Sequence, residues 1–136
     1  MDNMTQIHHK IKTRNILVVD DEPQICELLS GYFQETGFQT SVAYNGVEAL
    51  NLLKTTKPDL IILDVLMPKM DGFELLKNLK SNPDYSAIPV IILTAKSDAR
   101  NVAKGVSLHA DFYLPKPFSF DNLMNFVNLL LNERES

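Results

Sequence analysis

The chain has little cysteine, no long hydrophobic run and no excess of positive charge. Its one cysteine, Cys26, excludes an internal disulfide and fits a reducing compartment. Its longest apolar runs span about five residues, whereas a membrane helix needs about 20. The 13 Lys and Arg are scattered among 17 Asp and Glu, which argues against a surface that binds nucleic acid directly. Since residues 1–14 also lack the apolar stretch of a secretory signal, we predict a cytoplasmic protein that contacts neither nucleic acid nor membrane.

The length allows one globular domain. With 136 residues, 45% of them hydrophobic, the chain can bury a single core and has no room for a second folded module. We predict a flexible N-terminal leader over residues 1–13 and a folded domain over residues 14–134. Because the chain stops soon after its last helical pattern, the sequence leaves open a stand-alone domain and a piece of a longer protein.

Short apolar runs alternate with stretches of helical periodicity. The runs at 16–19, 60–63 and 90–93 are continuous, as in strands buried on both faces of a parallel sheet. Segments 38–43 and 112–114 are more polar or shorter, so we predict edge strands there. Right-handed crossovers between five strands and five helices then give an α/β fold, a flavodoxin-like doubly wound (βα)5 three-layer sandwich whose parallel sheet has the order 2-1-3-4-5.

Several helix ends carry a characteristic residue. Pro23 suits the first turn of the first helix, and Gly37 suits a left-handed cap after it. Asp71, with Glu74 three residues later, predicts a capping box at the third helix, and Ser119 predicts the N-cap of the fifth. The two remaining helices are expected over about 46–55 and about 98–108.

Polar residues that suit metal and phosphate chemistry follow the predicted strands. Asp20 and Asp21 come directly after the first strand and Asp64 after the third, and these strands are neighbours in the predicted sheet. Their helices leave on opposite faces, so a crevice opens at the carboxyl ends. Crowded carboxylates favour a divalent cation with oxygen ligands, Mg²⁺ or alternatively Mn²⁺. Thr94 and Lys116, after strands four and five, add a hydroxyl and an ammonium for phosphoryl oxygens, and the set predicts phosphoryl transfer to Asp64 as nucleophile.

Four segments of the chain resemble the receiver domain of two-component response regulators. Each segment is weak by itself, and together they are specific in their order and spacing. The resemblance covers residues 14–134, nearly the whole chain, and identifies the predicted folded domain as a receiver domain. The segments lie at 16–22, 64–72, 93–95 and 113–118.

The resemblance implies a role for each acidic position. Asp64 is expected to be the phosphoacceptor, which takes a phosphoryl group from a sensor histidine kinase or a histidine phosphotransfer protein. Asp20 and Asp21 are expected to bind Mg²⁺ together with Asp64 and the backbone carbonyl of Leu66. Such a domain accepts phosphate, and hydrolyses its own acyl phosphate, without being a turnover enzyme.

The resemblance also implies a conformational switch. Thr94 and Lys116 are expected to contact the phosphoryl group, and the ring of Tyr113 is expected to turn inward when Thr94 moves toward that group. The face of helix four, strand five and helix five then changes shape and controls a downstream effector protein or a fused output domain, with a homodimer as one outcome of activation. The Lys116-Pro117 peptide bond is expected to be cis.

Two further features concern strain and the lifetime of the phosphorylated state. His109 stands where the family commonly has glycine, and we expect modest strain if its φ is positive. Leu66 and Lys96 are expected to flank the path of the water that hydrolyses the acyl phosphate. Because neither offers a base to that water, we predict a phosphorylated state of intermediate to long lifetime.

Two other functions stay open at this level. Aspartyl phosphate chemistry on a doubly wound sheet is also used by phosphatases of the haloacid dehalogenase type, which are true enzymes. Those phosphatases place two acids in a D-x-D pattern after the first strand, whereas here the first two acids are adjacent and the nucleophile follows strand three. The other alternative is a receiver-like module that binds partners without being phosphorylated.

Overall fold

The computed structural model describes residues 13–67, 71–95 and 99–135. Strands and helices alternate throughout these residues, as the periodicity predicts. The strands are Asn15–Val19 (β1), Gln39–Ala43 (β2), Leu60–Leu63 (β3), Val90–Thr94 (β4) and Phe112–Pro115 (β5). The helices are Pro23–Glu35 (α1), Gly46–Leu53 (α2), Gly72–Ser81 (α3), Ala99–Ser107 (α4) and Phe120–Glu135 (α5).

The strands of the described chain form one parallel sheet in the order β2-β1-β3-β4-β5. This order confirms the predicted flavodoxin-like topology, with the more polar strands β2 and β5 at the edges. Every residue of β3 and β4 is buried, because helices cover both faces of the sheet. Val19 of β1 pairs with Leu63 of β3, so the residues that follow these two strands emerge side by side.

Two apolar layers hold the helices against the sheet. Side chains alternate along β1, so Leu17 and Val19 pack in the layer that contains α2 and α3, while Ile16 and Val18 pack in the layer that contains α1 and α5. Burial of each large side chain in these layers contributes about 1.5–3 kcal/mol to folding. Helices on both faces make the doubly wound sandwich that the sequence predicts.

Most of the predicted helix caps are present. Pro23 lies in the first turn of α1, and Gly37 follows that helix with a φ of 98°. The Ser119 hydroxyl accepts a hydrogen bond at 3.0 Å from the backbone N–H three residues later, at the start of α5. The predicted capping box at α3 is wrong in detail. There the Asp71 carboxylate accepts from the backbone N–H of Phe73 at 2.7 Å, one residue earlier than a capping box requires.

Some element ends differ from the predicted ones by one or two residues. The second helix ends at Leu53 rather than at Thr55, because the N–H groups of residues 55 and 56 both bond to the Leu52 carbonyl and close the chain into a turn. Two other ends differ from the expected ones by a single residue, which is within the usual uncertainty of element ends. Strand β2 begins at Gln39 rather than at Phe38, and α4 ends at Ser107 rather than at Leu108. The predicted start of helix four at residue 98 and residues 1–12 of the predicted leader lie outside the described residues.

The turns after α1 and α4 use one hydrogen-bond pattern with different residues at the left-handed position. After α1 that residue is Gly37, with a φ of 98°. After α4 it is His109, with a φ of 69°, and the N–H of Ala110 bonds to the carbonyl of Gly105 at 3.0 Å. This is the Schellman motif, whose left-handed position favours glycine. The φ of His109 is therefore positive, which is the condition under which we expected modest strain.

Replacing His109 with glycine is expected to raise the free energy of unfolding by about 0.5–1 kcal/mol. A residue with a Cβ pays about 1–2 kcal/mol for the left-handed conformation, and the greater freedom of glycine in the unfolded chain cancels part of the gain. His109→Val is expected to lower the same free energy, because a β-branched side chain tolerates this conformation poorly. Urea unfolding measures both changes, and a glycine variant less stable than the wild type would contradict the assigned strain.

Candidate functional site

Two of the predicted acids stand side by side at the carboxyl ends of β1 and β3. The N–H of Asp20 donates to the carbonyl of Ala43 at 3.1 Å, and the N–H of Asp64 donates to the carbonyl of Val19 at 2.9 Å. These bonds extend the sheet one residue past each strand and so fix both backbones. Asp20 is 2% exposed and Asp64 is 4% exposed. The structure thus brings both acids together in the interior, at the crevice that the topology predicts.

Asp20 and Asp64 hold their carboxylates in the same way. Oδ1 of Asp20 accepts from the backbone N–H of Glu22, and Oδ1 of Asp64 accepts from that of Leu66, both at 2.9 Å. Each acid thereby closes a tight turn on its own loop. One oxygen of each carboxylate is bound to the backbone, so Oδ2 is the oxygen that each acid presents to a shared partner.

Lys116 is that shared partner. Its Nζ lies 2.9 Å from Oδ2 of Asp20, 3.3 Å from Oδ2 of Asp64 and 3.2 Å from Oε1 of Glu22. The backbone N–H of Lys116 donates to the carbonyl of Thr94 at 2.9 Å, which anchors the residue to the end of β4. The peptide bond to the next proline is cis, as we expected. Lys116 therefore joins residues that follow β1 and β3 into one charged cluster.

The charges of the cluster depend on one another. Burial raises the pKa of Asp20, and the hydrogen bonds from Lys116 and from the backbone N–H of Glu22 offset only part of this effect. The negative charge of Asp64 raises the pKa of Asp20 further. Burial alone would lower the pKa of Lys116. The carboxylates outweigh burial and raise this pKa above its usual value, through the hydrogen bond and charge of Asp20, the charge of Asp64 and the hydrogen bond of Glu22. The ammonium thus neutralises acids that would otherwise repel each other.

The donor set fits a hard divalent cation. Asp20, Asp21, Glu22 and Asp64 each offer a carboxylate oxygen, and these oxygens lie within 4.8 Å of one another. Mg²⁺ in proteins is usually bound by one or two carboxylates, with water or phosphate oxygens in its remaining positions. Asp21 is exposed and so accessible to a hydrated ion. We did not predict Glu22 as part of the site, although its place in a run of three consecutive acids was a signal for it.

Thr94 ends β4 in the interior, with 0% exposure. Its backbone carbonyl accepts the hydrogen bond from Lys116, so the two predicted phosphate-binding residues are adjacent across the sheet. Ala95, the next residue, is exposed. Lys96, which we expected beside the water path, lies outside the described residues. The contacts of Thr94 and Lys116 with a phosphoryl group stay predictions.

Tyr113 is half-buried on the edge strand β5 and packs against α4. A Cβ placed on Gly105 of α4 would lie 3.0 Å from a ring carbon of Tyr113 and 3.0 Å from the side chain of Ile92. The glycine therefore lets the ring lie close to the helix backbone. Tyr113 thus contacts an element of the predicted switch face, while its motion stays a prediction.

Cys26 is a packed residue beside the site, as its helical position suggests. Its side chain is 1% exposed, and Sγ donates to the backbone carbonyl of Asp20 at 3.2 Å. Burial, followed by the nearby charge of Asp20, raises the pKa of the thiol to about 12. The thiol therefore stays protonated at neutral pH and is a poor nucleophile.

Comparison with known proteins decides the family. A family model described as "Response regulator receiver domain" matches residues 16–128, which contain the acids, Thr94 and Lys116. The chain belongs to this family. Response regulator MprA of Mycobacterium avium (strain 104) is 38% identical to this receiver domain over 116 residues, which are 85% of this chain and 50% of that protein. The chain thus spans about half the length of the curated relatives it matches.

Solved structures share the fold of this receiver domain. The signal receiver domain of a signal transduction histidine kinase from Syntrophus aciditrophicus is 45% identical, with a TM-score of 0.83 over 89% of this chain and 92% of that one. Chemotaxis protein CheY4 of Vibrio cholerae is 31% identical, with a TM-score of 0.83 over 88% of this chain and 100% of that one.

Among the residues that the structure describes, no helix is both long and apolar enough to span a membrane.

Proposed function

We propose that Asp64 accepts a phosphoryl group from a sensor histidine kinase or a histidine phosphotransfer protein in a Mg²⁺-dependent reaction, with Mn²⁺ as an alternative. The observation that carries this proposal is the cluster itself. Asp64 presents Oδ2 to a cleft that also holds the ammonium of Lys116 and the oxygens of Asp20, Asp21 and Glu22. A nucleophile, a cation site and a positive charge for phosphoryl oxygens are the groups that phosphoryl transfer requires.

The proposed step is an in-line displacement at phosphorus. Oδ2 of Asp64 attacks, the new O–P bond forms, and the P–N bond of the phosphohistidine breaks with its electron pair leaving on the donor nitrogen. Asp20, Asp21, Asp64 and the carbonyl of Leu66 would hold Mg²⁺, which when bound neutralises negative charge on the phosphoryl oxygens. Lys116 contributes a point charge to the same oxygens.

The output of the step is proposed to be a change in the face formed by α4, β5 and α5. Thr94 would donate its hydroxyl to the phosphoryl group, and Tyr113, which packs against α4, would move into the space it leaves. Such a change would control an effector protein or a fused output domain, or form a homodimer. The similar proteins include both a kinase-linked receiver and a chemotaxis protein, so either kind of partner fits this class.

The chain is proposed to act as a signalling module in the cytoplasm rather than as a turnover enzyme. Each domain would carry one phosphoryl group at a time on Asp64 and lose it by hydrolysis. Leu66, which is 43% exposed beside the acceptor, offers no base to the attacking water, and this supports a phosphorylated state of intermediate to long lifetime. The folded unit is proposed to span residues 14–134, after a leader at 1–13.

Incubation with acetyl phosphate and Mg²⁺ tests the proposed function directly. Intact mass spectrometry is expected to show the gain of one phosphoryl group, and peptide mapping after borohydride trapping is expected to place it at Asp64. A chelator added beforehand is expected to prevent the gain. Continuous release of phosphate from many phosphomonoesters would instead support a phosphatase, and no gain under any of these conditions would support an unphosphorylated binding module.

Replacing Lys116 with methionine is expected to tighten Mg²⁺ binding about fivefold to tenfold and to slow phosphorylation. The ammonium now lies against the oxygens of Asp20 and Asp64 that would face the metal, and unit charges about 4 Å apart repel by about 1 kcal/mol in water and more when partly buried. Isothermal titration measures the affinity, with Lys57→Met as the control because Lys57 is exposed near the opposite end of the sheet. Unchanged or weaker binding in Lys116→Met would show that lysine and metal do not compete.

A further inference from the structure

Lys116 has three carboxylate partners, and Glu22 is the one that the proposed step makes neither the phosphoacceptor nor a Mg²⁺ ligand. An ammonium has three N–H donors, and its contacts with Asp20, Asp64 and Glu22 use all of them. Asp64 is the proposed acceptor, and Asp20 is a proposed metal ligand. The contact with Glu22, 3.2 Å long, is the one that ligand binding at those two acids leaves in place.

The side chain of Glu22 turns to this contact rather than to the start of α1. Its backbone N–H is held by Oδ1 of Asp20 at 2.9 Å, which fixes the residue at the rim of the cleft. A carboxylate just before a helix is attracted to the free N–H groups of the first turn. Glu22 nevertheless makes no side-chain cap on α1, and its carboxylate lies against Lys116 instead. The lysine is therefore the partner that decides where this side chain lies.

From these contacts we propose that Glu22 is a positioning residue that keeps the ammonium of Lys116 at the site while Asp20 and Asp64 turn toward bound metal. Resting on the proposed function, this inference adds a residue to it. Once the two Asp carboxylates face a divalent cation, they attract the ammonium less and the cation repels it. Glu22, 59% exposed at the rim, retains a negative charge for Lys116. The ammonium is then in place when the phosphoryl oxygens arrive.

The position of the ammonium is measured by NMR of lysine side-chain NH₃⁺ groups, with the Lys116 signal assigned by its loss in Lys116→Met. In the wild type saturated with Mg²⁺, a slowly exchanging signal is expected. In Glu22→Gln saturated with Mg²⁺, the Lys116 signal is expected to broaden until its line width matches that of a lysine exposed to solvent. Glu27→Gln, which removes the same charge from an exposed position of α1, is expected to behave as the wild type. An unchanged Lys116 signal in Glu22→Gln would overturn the proposed role.

A double-mutant cycle separates this role from metal ligation by Glu22. Glu22→Gln is expected to slow phosphorylation by acetyl phosphate about twofold to fivefold, the range for an exposed ion pair, and to have no such effect in the Lys116→Met background. A loss of Mg²⁺ affinity that is equal in both backgrounds would overturn the proposal, because Glu22 would then act on the metal. If the wild type bound no Mg²⁺ and accepted no phosphate, the proposed function itself would fail. If the wild type were phosphorylated but Glu22→Gln had the same effect in both backgrounds, only the proposed role of Glu22 would be rejected.

Discussion

Replacing Asp64 with asparagine is expected to abolish the gain of a phosphoryl group from acetyl phosphate while the fold stays intact. The amide has nearly the shape of the carboxylate, so its oxygen can still accept from the N–H of Leu66, a bond of 2.9 Å in the wild type. It lacks the negative charge that makes Oδ2 a nucleophile, and it cannot form an acyl phosphate. Intact mass under conditions that phosphorylate the wild type measures the loss.

The stability of Asp64→Asn distinguishes lost chemistry from lost structure. Asp20 and Asp64 are both buried and face the same ammonium, so their negative charges lie close together and repel each other. Asparagine removes this repulsion, and Lys116 keeps Asp20 and Glu22 as partners. We therefore expect urea unfolding to give a free energy no lower than that of the wild type.

An acid outside the site supplies the matched control for this substitution. Asp84→Asn makes the same change in an exposed loop between α3 and β4, and this variant is expected to be phosphorylated as the wild type is. Phosphorylation of Asp64→Asn at the rate of the wild type would place the acceptor elsewhere and reject the proposed function.

Replacing Gly72 with alanine is expected to lower the free energy of unfolding by about 3 kcal/mol, or the melting temperature by roughly 10 °C. Gly72 is the first residue of α3, and a Cβ there would collide with the backbone carbonyl oxygen of Asp64 and the Cα of Val65. Backbone atoms next to a central strand cannot move as a flexible side chain can. The phosphoacceptor would therefore shift together with its loop, and phosphorylation should slow even in the fraction that folds.

A second glycine gives the control for Gly72→Ala. Gly31 lies within α1 and a Cβ there meets nothing within 4 Å, so Gly31→Ala is expected to raise the free energy of unfolding by about 1 kcal/mol through helix propensity. If the same substitution lowers the free energy of unfolding at Gly72 and raises it at Gly31, the close approach of Gly72 to Asp64 is the cause of the loss at Gly72. If Gly72→Ala were as stable as the wild type, the loop after β3 would be looser than the structure shows.

The fold was predictable because its signals are local. The continuous apolar runs of β3 and β4 require burial on both faces, and only a parallel sheet with helices on each side provides it. The polar residues of β2 indicated an edge, which together with right-handed crossovers settled the strand order. Helix ends were less predictable, since a cap such as Asp71 can accept from either of two neighbouring N–H groups at little difference in energy.

The site was predictable as far as it depends on strand ends. Asp20 and Asp64 follow neighbouring strands, so the topology alone brings their backbones together. Glu22 was missed because its sequence position suits a residue before a helix equally well. Only the position of Lys116, which comes from the far edge of the sheet, shows that the Glu22 side chain turns to the cleft instead of to α1.

The sequence by itself determined the order of the strands, the buried layers and the set of polar residues at one edge of the sheet, because each follows from the period of apolar residues and the handedness of the chain. The tertiary structure alone decided which oxygen of each acid is bound to the backbone and which faces Lys116, and how close Gly72 lies to Asp64. Those features depend on interatomic distances that must be correct to a few tenths of an ångström, in loops that only the folded sheet brings together. Such distances are set by close packing of the whole domain, which no local pattern encodes.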